Sequence, residues 1–488
     1  MSFLGIDIGT SGLRALLVDG NGAPIGSAEQ AFTTFNPHPG WSEQDPADWI
    51  AALEAAIATL RAKYPAFEGL KGIGVAGQMH GAVLLDEDDA VLRPCMLWND
   101  TRSHREARTL DALPDFRALT GNIVFAGFTA PKLDWLRSHE PDIFRRTAKV
   151  VLPAGYLNHY LTGDHVADMS DSAGTSWLDV GGREWSDTLL AHSNMRAGQM
   201  PRLVEGSEKA GSLRASLARD WGLSGEVIIA GGAGDNAAAA CGLGLLEEGE
   251  GFVSLGTSGV LLLARDRYHP DPQTAVHSFC HAVPERWYQM SVMLSAADCL
   301  TWLSSITGAR AEALTFALGD DLQPPGRVQF FPYLSGERTP HNDAEIRAGF
   351  VGLGKDTDRD ALTRAVLEGV CFGLRDGFEA LISGGSKPAH LFAIGGGSTS
   401  RYWLSLLATV IKTPLHLPEG REFGAAMGAA RLGMTATLGA PVSEIMGRVP
   451  TAEIIEPIAA LTDAYDAAYL AFRAGYHLLK SHTAGGEI

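Results

Sequence analysis

Three short stretches of this 488-residue chain carry residue types suited to phosphate, a metal ion and a proton. The stretches Asp7-Ile8-Gly9-Thr10-Ser11-Gly12 and Leu255-Gly256-Thr257-Ser258-Gly259 each place hydroxyls and glycines in one tight turn between apolar segments. Such a turn offers successive backbone N–H groups with no side-chain bulk in front of them, so it holds phosphate oxygens without lysine. A single glycine-rich hairpin is an ordinary turn; two matched copies half a chain apart are much stronger evidence. Asp7 stands between Ile6 and Ile8. A carboxylate in an apolar strand is costly unless a cation or donors compensate it, and Mg²⁺ near a nucleotide phosphate would do so. An edge-strand aspartate in solvent is the plain alternative. The third stretch, Gly231-Gly-Ala-Gly-Asp235-Asn236, follows an apolar run and precedes an alanine-rich one. Asp235 is thus expected near a helix N-terminus at the C-terminal end of a strand, where α/β sheets place ligands. A helix cap alone would need nothing more; the two phosphate-type turns favour a functional carboxylate.

The elements that must position these residues read as alternating strands and helices. Residues 4–8 and 13–18 read as strands joined by the first turn, with Asp19-Gly-Asn-Gly22 as the next turn. Asp45-Pro46 reads as a cap and first helical position, with Trp49, Leu53, Ile57 and Leu60 on one stripe of a helix over 47–63. A glycine-rich strand over 73–76 leads into Gly77-Gln-Met-His-Gly81. Later, 358–378 reads as a long helix, 391–394 as a strand ending at Gly395-Gly-Gly-Ser398, and 400–411 as a helix. The glycine/alanine-rich 423–430 reads as a helix allowing close backbone approach. Residues 459–480 read as a final helix, a lid or outer layer, with the last residues fraying. This alternation indicates an α/β class, and the repeated strand–turn–strand indicates two halves on one plan that meet near residue 245.

Composition narrows the partners. With 39 Lys+Arg against 57 Asp+Glu the net charge is −18, which argues against nucleic acid or an anionic membrane as the main partner. The first residues carry no basic region and reach Asp7 quickly, unlike a signal peptide. The longest low-polarity stretches are about half the roughly 18 residues a membrane span needs. Five dispersed cysteines without a C-x-x-C pair fit reduced thiols and a cytoplasmic protein. Three motifs are set aside. Gly72-x-Gly74-x-x-Gly77 matches a dinucleotide fingerprint, but within a strand. Gly349 to Lys355 resembles a P-loop, but Asp356 stands where a Ser or Thr is needed. His277-x-x-Cys280-His281 lacks a fourth zinc ligand nearby.

With these residues in view, the chain strongly resembles the FGGY family of carbohydrate kinases along essentially its whole length, and within it the xylulokinases. The resemblance implies two actin-like, ribonuclease-H-like ATPase domains with a catalytic cleft between them. An N-terminal domain over 1–245 would hold the sugar and the first phosphate motif, Gly9, Thr10 and Ser11. A C-terminal domain over 246–488 would hold the second, Gly256, Thr257 and Ser258, and an adenosine motif at Gly396, Gly397 and Ser398. Gly127 to His139, with Pro131, Lys132 and Trp135, resembles a family signature. Gln78-Met79-His80, Leu97-Trp98-Asn-Asp100 with Arg102, and Tyr333 to Pro340 resemble the xylulokinase branch. Glycerol kinases carry Asn-Gln-Arg at the first of these, and gluconate kinases usually have Ser where Gly81 stands. The pattern departs at Ala408-Thr409-Val410, where Ala-Asp is common.

The activity implied is ATP-dependent phosphorylation of D-xylulose to D-xylulose 5-phosphate. Asp235 would be the general base, and Gln78, Met79, His80, Trp98 and Asn236 would lie around the sugar. ATP and Mg²⁺, with Asp7 at the metal, complete the set. The partners would be a small sugar and ATP, with no nucleic acid or membrane; a homodimer is left open. Two alternatives remain: an FGGY kinase for another ketose, polyol or gluconate, and an actin- or chaperone-like nucleotide switch.

Overall fold

The computed structural model describes residues 1–385, 387–420 and 424–483. The expected fraying of the last residues, and Phe423 at the start of the glycine/alanine-rich helix, lie outside the described residues.

Two sheets repeat one six-strand plan. In the first, the antiparallel hairpin Ser2–Ile8/Gly12–Asp19 is extended on one side by antiparallel Pro24–Ala31. On its other side lie parallel Leu70–Gly77 and Ile228–Ala230, then antiparallel Lys209–Ser212. In the second, the hairpin Glu250–Leu255/Gly259–Arg265 is followed by antiparallel Trp287–Met293. Parallel His390–Ile394 and Leu415–Pro418 and antiparallel Thr451–Ile455 complete the other side. His277–Cys280 adds one further edge strand. The repeated turn in the sequence therefore marks a repeated topology.

Strand alternation decides what covers the first sheet. Leu4, Ile6 and Ile8 point into a core with Trp49, Leu53, Ile57 and Leu60 of helix Pro46–Lys63. That helix starts where the sequence places it, with Asp45 accepting from Ala47 N at 2.9 Å. Phe3 faces the other way and packs with Ala426, Met427, Ala430 and Met434, as a period of two requires. These belong to helix Ala425–Leu438, so an element from the second half of the chain covers the first sheet. The approach is close: a Cβ on Gly5 would lie 1.8 Å from the Ala426 carbonyl oxygen, and one on Gly428 would lie 1.8 Å from that of Ala238. Gly5→Ala is expected to cost about 3 kcal/mol or more, because backbone must move on both sides; a lower urea midpoint than wild type is the readout.

Helix Asp235–Leu243 runs beneath Ala425–Leu438, and one apolar cluster joins Ala76, Met79 and Phe128 to Phe252, Leu262, Phe279 and Tyr288. The two halves thus share core at their junction. Helix Arg359–Ile382, capped by Asp358, runs a turn beyond the expected end. The last helix, Ala459–Thr483, buries Tyr465, Tyr469, Phe472 and Tyr476 in the second core, which makes it an outer layer. Thr409 is buried and ties helix Arg401–Ile411 to the approach of that last helix, accepting from Ile458 N at 3.0 Å.

Candidate active site

Strand register brings the candidate residues together. Ile8 pairs with Gly77, and Gly77 pairs with Gly234, across three adjacent parallel segments. The turn Gly9–Ser11, the loop Gln78–His80 and the pair Asp235–Asn236 therefore emerge side by side at one carboxyl edge, where parallel strands present backbone groups to ligands. The second sheet does the same: Ser254 pairs with Ile394, which sets the Gly256–Ser258 turn beside Gly395–Ser398. Ser11, Thr257 and Gly396 are exposed, so these turns are open to a ligand.

A polar network holds the first turn. Thr10 Oγ1 accepts from Trp98 Nε1 at 3.1 Å and donates to Gln78 Oε1 at 3.3 Å. Gln44 Nε2 donates to the Thr10 carbonyl at 2.6 Å, while its Oε1 accepts from Gln78 Nε2 (2.9 Å) and Trp49 Nε1 (3.0 Å). Gln78 is buried and both ends of its amide are engaged inside the protein. Trp98 is half-buried and its indole N–H serves the turn. Behind it, Asp100 and Glu43 grip Arg102 at 2.6 and 2.7 Å. Trp98→Phe keeps the ring but deletes this bond; one lost hydrogen bond of about 1 kcal/mol is expected to raise KM for ATP about fivefold, measured by initial rates.

The loop Gln78–His80 is bent into an unusual conformation. His80 has φ +69°, a region that costs a non-glycine residue about 1 kcal/mol or more. Its carbonyl is held by Lys132 Nζ at 2.8 Å and Thr129 Oγ1 at 3.2 Å. The signature segment thus acts as a brace: Lys132 also donates to the Met96 carbonyl at 3.1 Å, and burial lowers its pKa to about 7. The His80 ring stacks on Phe128 with centroids 4.3 Å apart, and its Nδ1 lies 2.7 Å from the Gly174 carbonyl oxygen. That carbonyl can only accept, so Nδ1 carries the proton. Burial, then the charges of Lys132 and Arg338, outweigh this bond and push the His80 pKa down to about 3. The ring is neutral and its Nε2 is an acceptor. Met79 lies beneath the loop, its sulfur accepting from Tyr288 OH at 3.7 Å.

Asp235 is the first residue of its helix, with Gly234 as the cap; the carboxylate is not spent on capping. Its Oδ1 accepts from Asn236 N at 2.7 Å and Asn236 Nδ2 at 2.8 Å, which leaves Oδ2 without a hydrogen bond among the described residues. Burial raises its pKa to about 6 against these two bonds. Asp7 is raised to about 7, by burial and then by the charge of Asp235, with Arg14 opposing.

Two further carboxylates stand nearby that sequence reasoning does not single out. Asp168 accepts from Ser170 N and Oγ and from Asp171 N, and Ser170 Oγ accepts from Gly234 N at 3.1 Å. Asp171 is buried with neither oxygen hydrogen-bonded among the described residues, and burial, then Asp168 and Asp235, push its pKa well up. No local motif marks them; their approach to Asp235 is a product of the fold.

Twin sheets presenting paired hydroxyl–glycine turns, with a buried carboxylate at the edge of the first, fit a two-domain phosphotransferase of the actin-like ATPase class. Comparison with known proteins narrows this. Residues 2–242 match the N-terminal domain, and residues 251–437 the C-terminal domain, of the FGGY family of carbohydrate kinases. The chain belongs to that family and is a sugar kinase, an ATP phosphotransferase. It is 45% identical to the xylulose kinase of Escherichia coli K12 over 436 residues, covering 89% of this chain and 90% of that one. Its structure superposes with a TM-score of 0.97 on a xyloylose kinase from Brucella ovis, 57% identical, covering 99% of this chain and 100% of the other. It also resembles xylulose kinase from Rhodospirillum rubrum, with a TM-score of 0.91 and 29% identity, covering 99% and 100%. Among the described residues no helix is long and apolar enough to cross a membrane.

Proposed function

We propose that this kinase transfers the γ-phosphoryl group of ATP to the terminal hydroxyl of D-xylulose in the cytoplasm, giving D-xylulose 5-phosphate, with Asp235 as general base. The observation that carries the reading is the alignment of the Gly9–Ser11 turn, the Gln78–His80 loop and Asp235 along one sheet edge. The similarity to xylulose kinases supports the choice of sugar.

Asp235 Oδ2 takes the proton of the attacking hydroxyl while Asn236 holds Oδ1. A carboxylate titrating near 6 is still ionised at pH 7 to 8 and is a stronger base than an ordinary aspartate. The N–H groups and hydroxyls of Gly9, Thr10, Ser11, Gly256, Thr257 and Ser258 receive the phosphates, and Gly396, Gly397 and Ser398 the adenosine. Met79, His80, Trp98 and Asn236 surround the sugar; Gln78, its amide engaged with Thr10 and Gln44, couples that loop to the phosphate turn. Asp7 fits a divalent cation, since its buried charge is opposed by Asp235. Bound there, Mg²⁺ would neutralise charge developing on the phosphoryl oxygens. Closure of the two halves excludes water that would otherwise accept the phosphoryl group.

A coupled ATP-consumption assay over D-xylulose, glycerol and gluconate tests the proposal. D-Xylulose should give the highest kcat/KM and should stimulate ATP turnover steeply. Equal turnover without any sugar would favour the nucleotide switch instead.

A further inference from the structure

Beside the aromatic cluster that reaches His80 stands a cation that none of the roles above uses. Arg338 lies between strand Gln329–Phe331 and helix Arg359–Ile382. Its backbone is pinned from both sides. Glu337 Oε1 accepts from Arg338 N at 2.7 Å and Leu294 N at 3.1 Å. Thr339 Oγ1 accepts from Val292 N at 3.1 Å and donates to the Ala275 carbonyl at 2.9 Å. The half-buried guanidinium sits 4.6 Å from the ring of Phe125 and, among the described residues, makes no hydrogen bond or ion pair. Phe125 packs edge-on against His277 at 5.2 Å, and His277 stacks on Phe279 at 5.3 Å, beside the stacked pair Phe128 and His80. The charge of Arg338 acts on both imidazoles, and burial lowers its own pKa to about 10. A partly desolvated cation with five donors, joined to an acceptor imidazole through packed aromatic rings, calls for a ligand that supplies oxygen.

We propose that Arg338 and His80 form a subsite for the hydroxyketone end of an open-chain 2-ketose, with Arg338 donating to the carbonyl oxygen and His80 Nε2 accepting from the neighbouring hydroxyl. This rests on the kinase reading above. A ketone oxygen only accepts and a guanidinium only donates, so the two match without a lost partner. Placement agrees: Phe125, on which the guanidinium lies, packs 5.6 Å from Phe128, and Phe128 stacks on His80. A five-carbon chain whose terminal hydroxyl meets Asp235 would then extend its hydroxyketone end to His80 and Arg338. Holding the carbonyl also keeps the chain open, since ring closure through the terminal oxygen would remove the nucleophile.

The test compares D-xylulose with xylitol, the same carbon chain with an alcohol in place of the ketone, in wild type, Arg338→Met and Arg338→Lys. Wild type should favour D-xylulose. Arg338→Met should raise KM for D-xylulose about 10- to 100-fold, the range for a hydrogen bond to a charged group. KM for xylitol and for ATP should change less than threefold, with Arg338→Lys intermediate. Equal losses on the two sugars, or an unchanged KM for D-xylulose, would overturn the subsite while leaving the kinase reading intact. A selective loss on gluconate would reassign it to carboxylates and overturn it equally. Wild-type enzyme that phosphorylates no ketopentose would instead remove the functional reading itself. If neither variant folds, sugar binding to wild type with a non-hydrolysable ATP analogue decides: xylitol at least tenfold weaker supports the subsite, and equal affinity overturns it.

Discussion

Asp235→Asn should leave ATP binding within about twofold of wild type and cut sugar phosphorylation about 10²- to 10⁴-fold, the usual contribution of a positioned general base. Asparagine keeps the shape and retains an oxygen for the two Asn236 donors, so the helix start stays in place. What disappears is the capacity to hold the hydroxyl's proton. The pH profile supplies a second, independent readout. Burial raises the Asp235 pKa to about 6, and only the ionised form accepts a proton. Wild-type kcat/KM should therefore fall as pH drops through about 6 and level off above 7. The residual activity of the variant should lack that limb. Full activity in Asp235→Asn, or a flat wild-type profile between pH 5 and 8, would take the residue out of this role.

Asp7→Asn should separate stability from function. The carboxyl titrates near 7 in the folded chain against an ordinary 3.8. Because the folded pKa is raised, the folded state holds the proton more tightly than the unfolded state. Stability from this group is therefore fully present below about pH 4 and is lost as pH rises to about 7. At pH 8 the ligand-free protein carries the whole penalty, on the order of 4 kcal/mol. Asparagine removes it, so thermal unfolding should show a higher midpoint than wild type at pH 8 and nearly the same midpoint at pH 4. Phosphorylation should fall about 100-fold or more, since the charge that would receive a divalent cation is gone. A variant less stable than wild type at pH 8, or one as active, would contradict this account. The site is held at a cost in stability that ligands relieve, as mass action requires of anything that binds only the folded state.

Much of the local architecture is legible in the amino-acid order because its causes are local. The Asp45-Pro46 helix start, the helices expected over 358–378 and 400–411 and both Gly-Thr-Ser-Gly hairpins depend on residues within a few positions of one another. The repeated hairpin even reveals the duplicated sheet plan, since an identical strand–turn–strand in each half leads to identical neighbours. Asp7 stands out for a similar reason: a carboxylate between isoleucines needs compensation wherever it lies.

Tertiary structure decided the rest. The pairing of Ile8 with Gly77 and of Gly77 with Gly234 sets three distant segments on one edge, and only that register makes Thr10, His80 and Asp235 neighbours. Parallel strands are joined by long crossovers, so the choice of partner rests on burial over the whole sheet rather than on any turn. The same applies to helix Ala425–Leu438, which belongs by position to the second half yet seals the first sheet, because Gly5 and Gly428 permit backbone contact there. Asp171 carries no motif of its own, and the Tyr333–Pro340 segment that holds Arg338 says nothing by itself about a role for the guanidinium. A carboxylate and a guanidinium without hydrogen-bond partners among the described residues acquire meaning only when folding removes them from water and leaves a ligand to complete them.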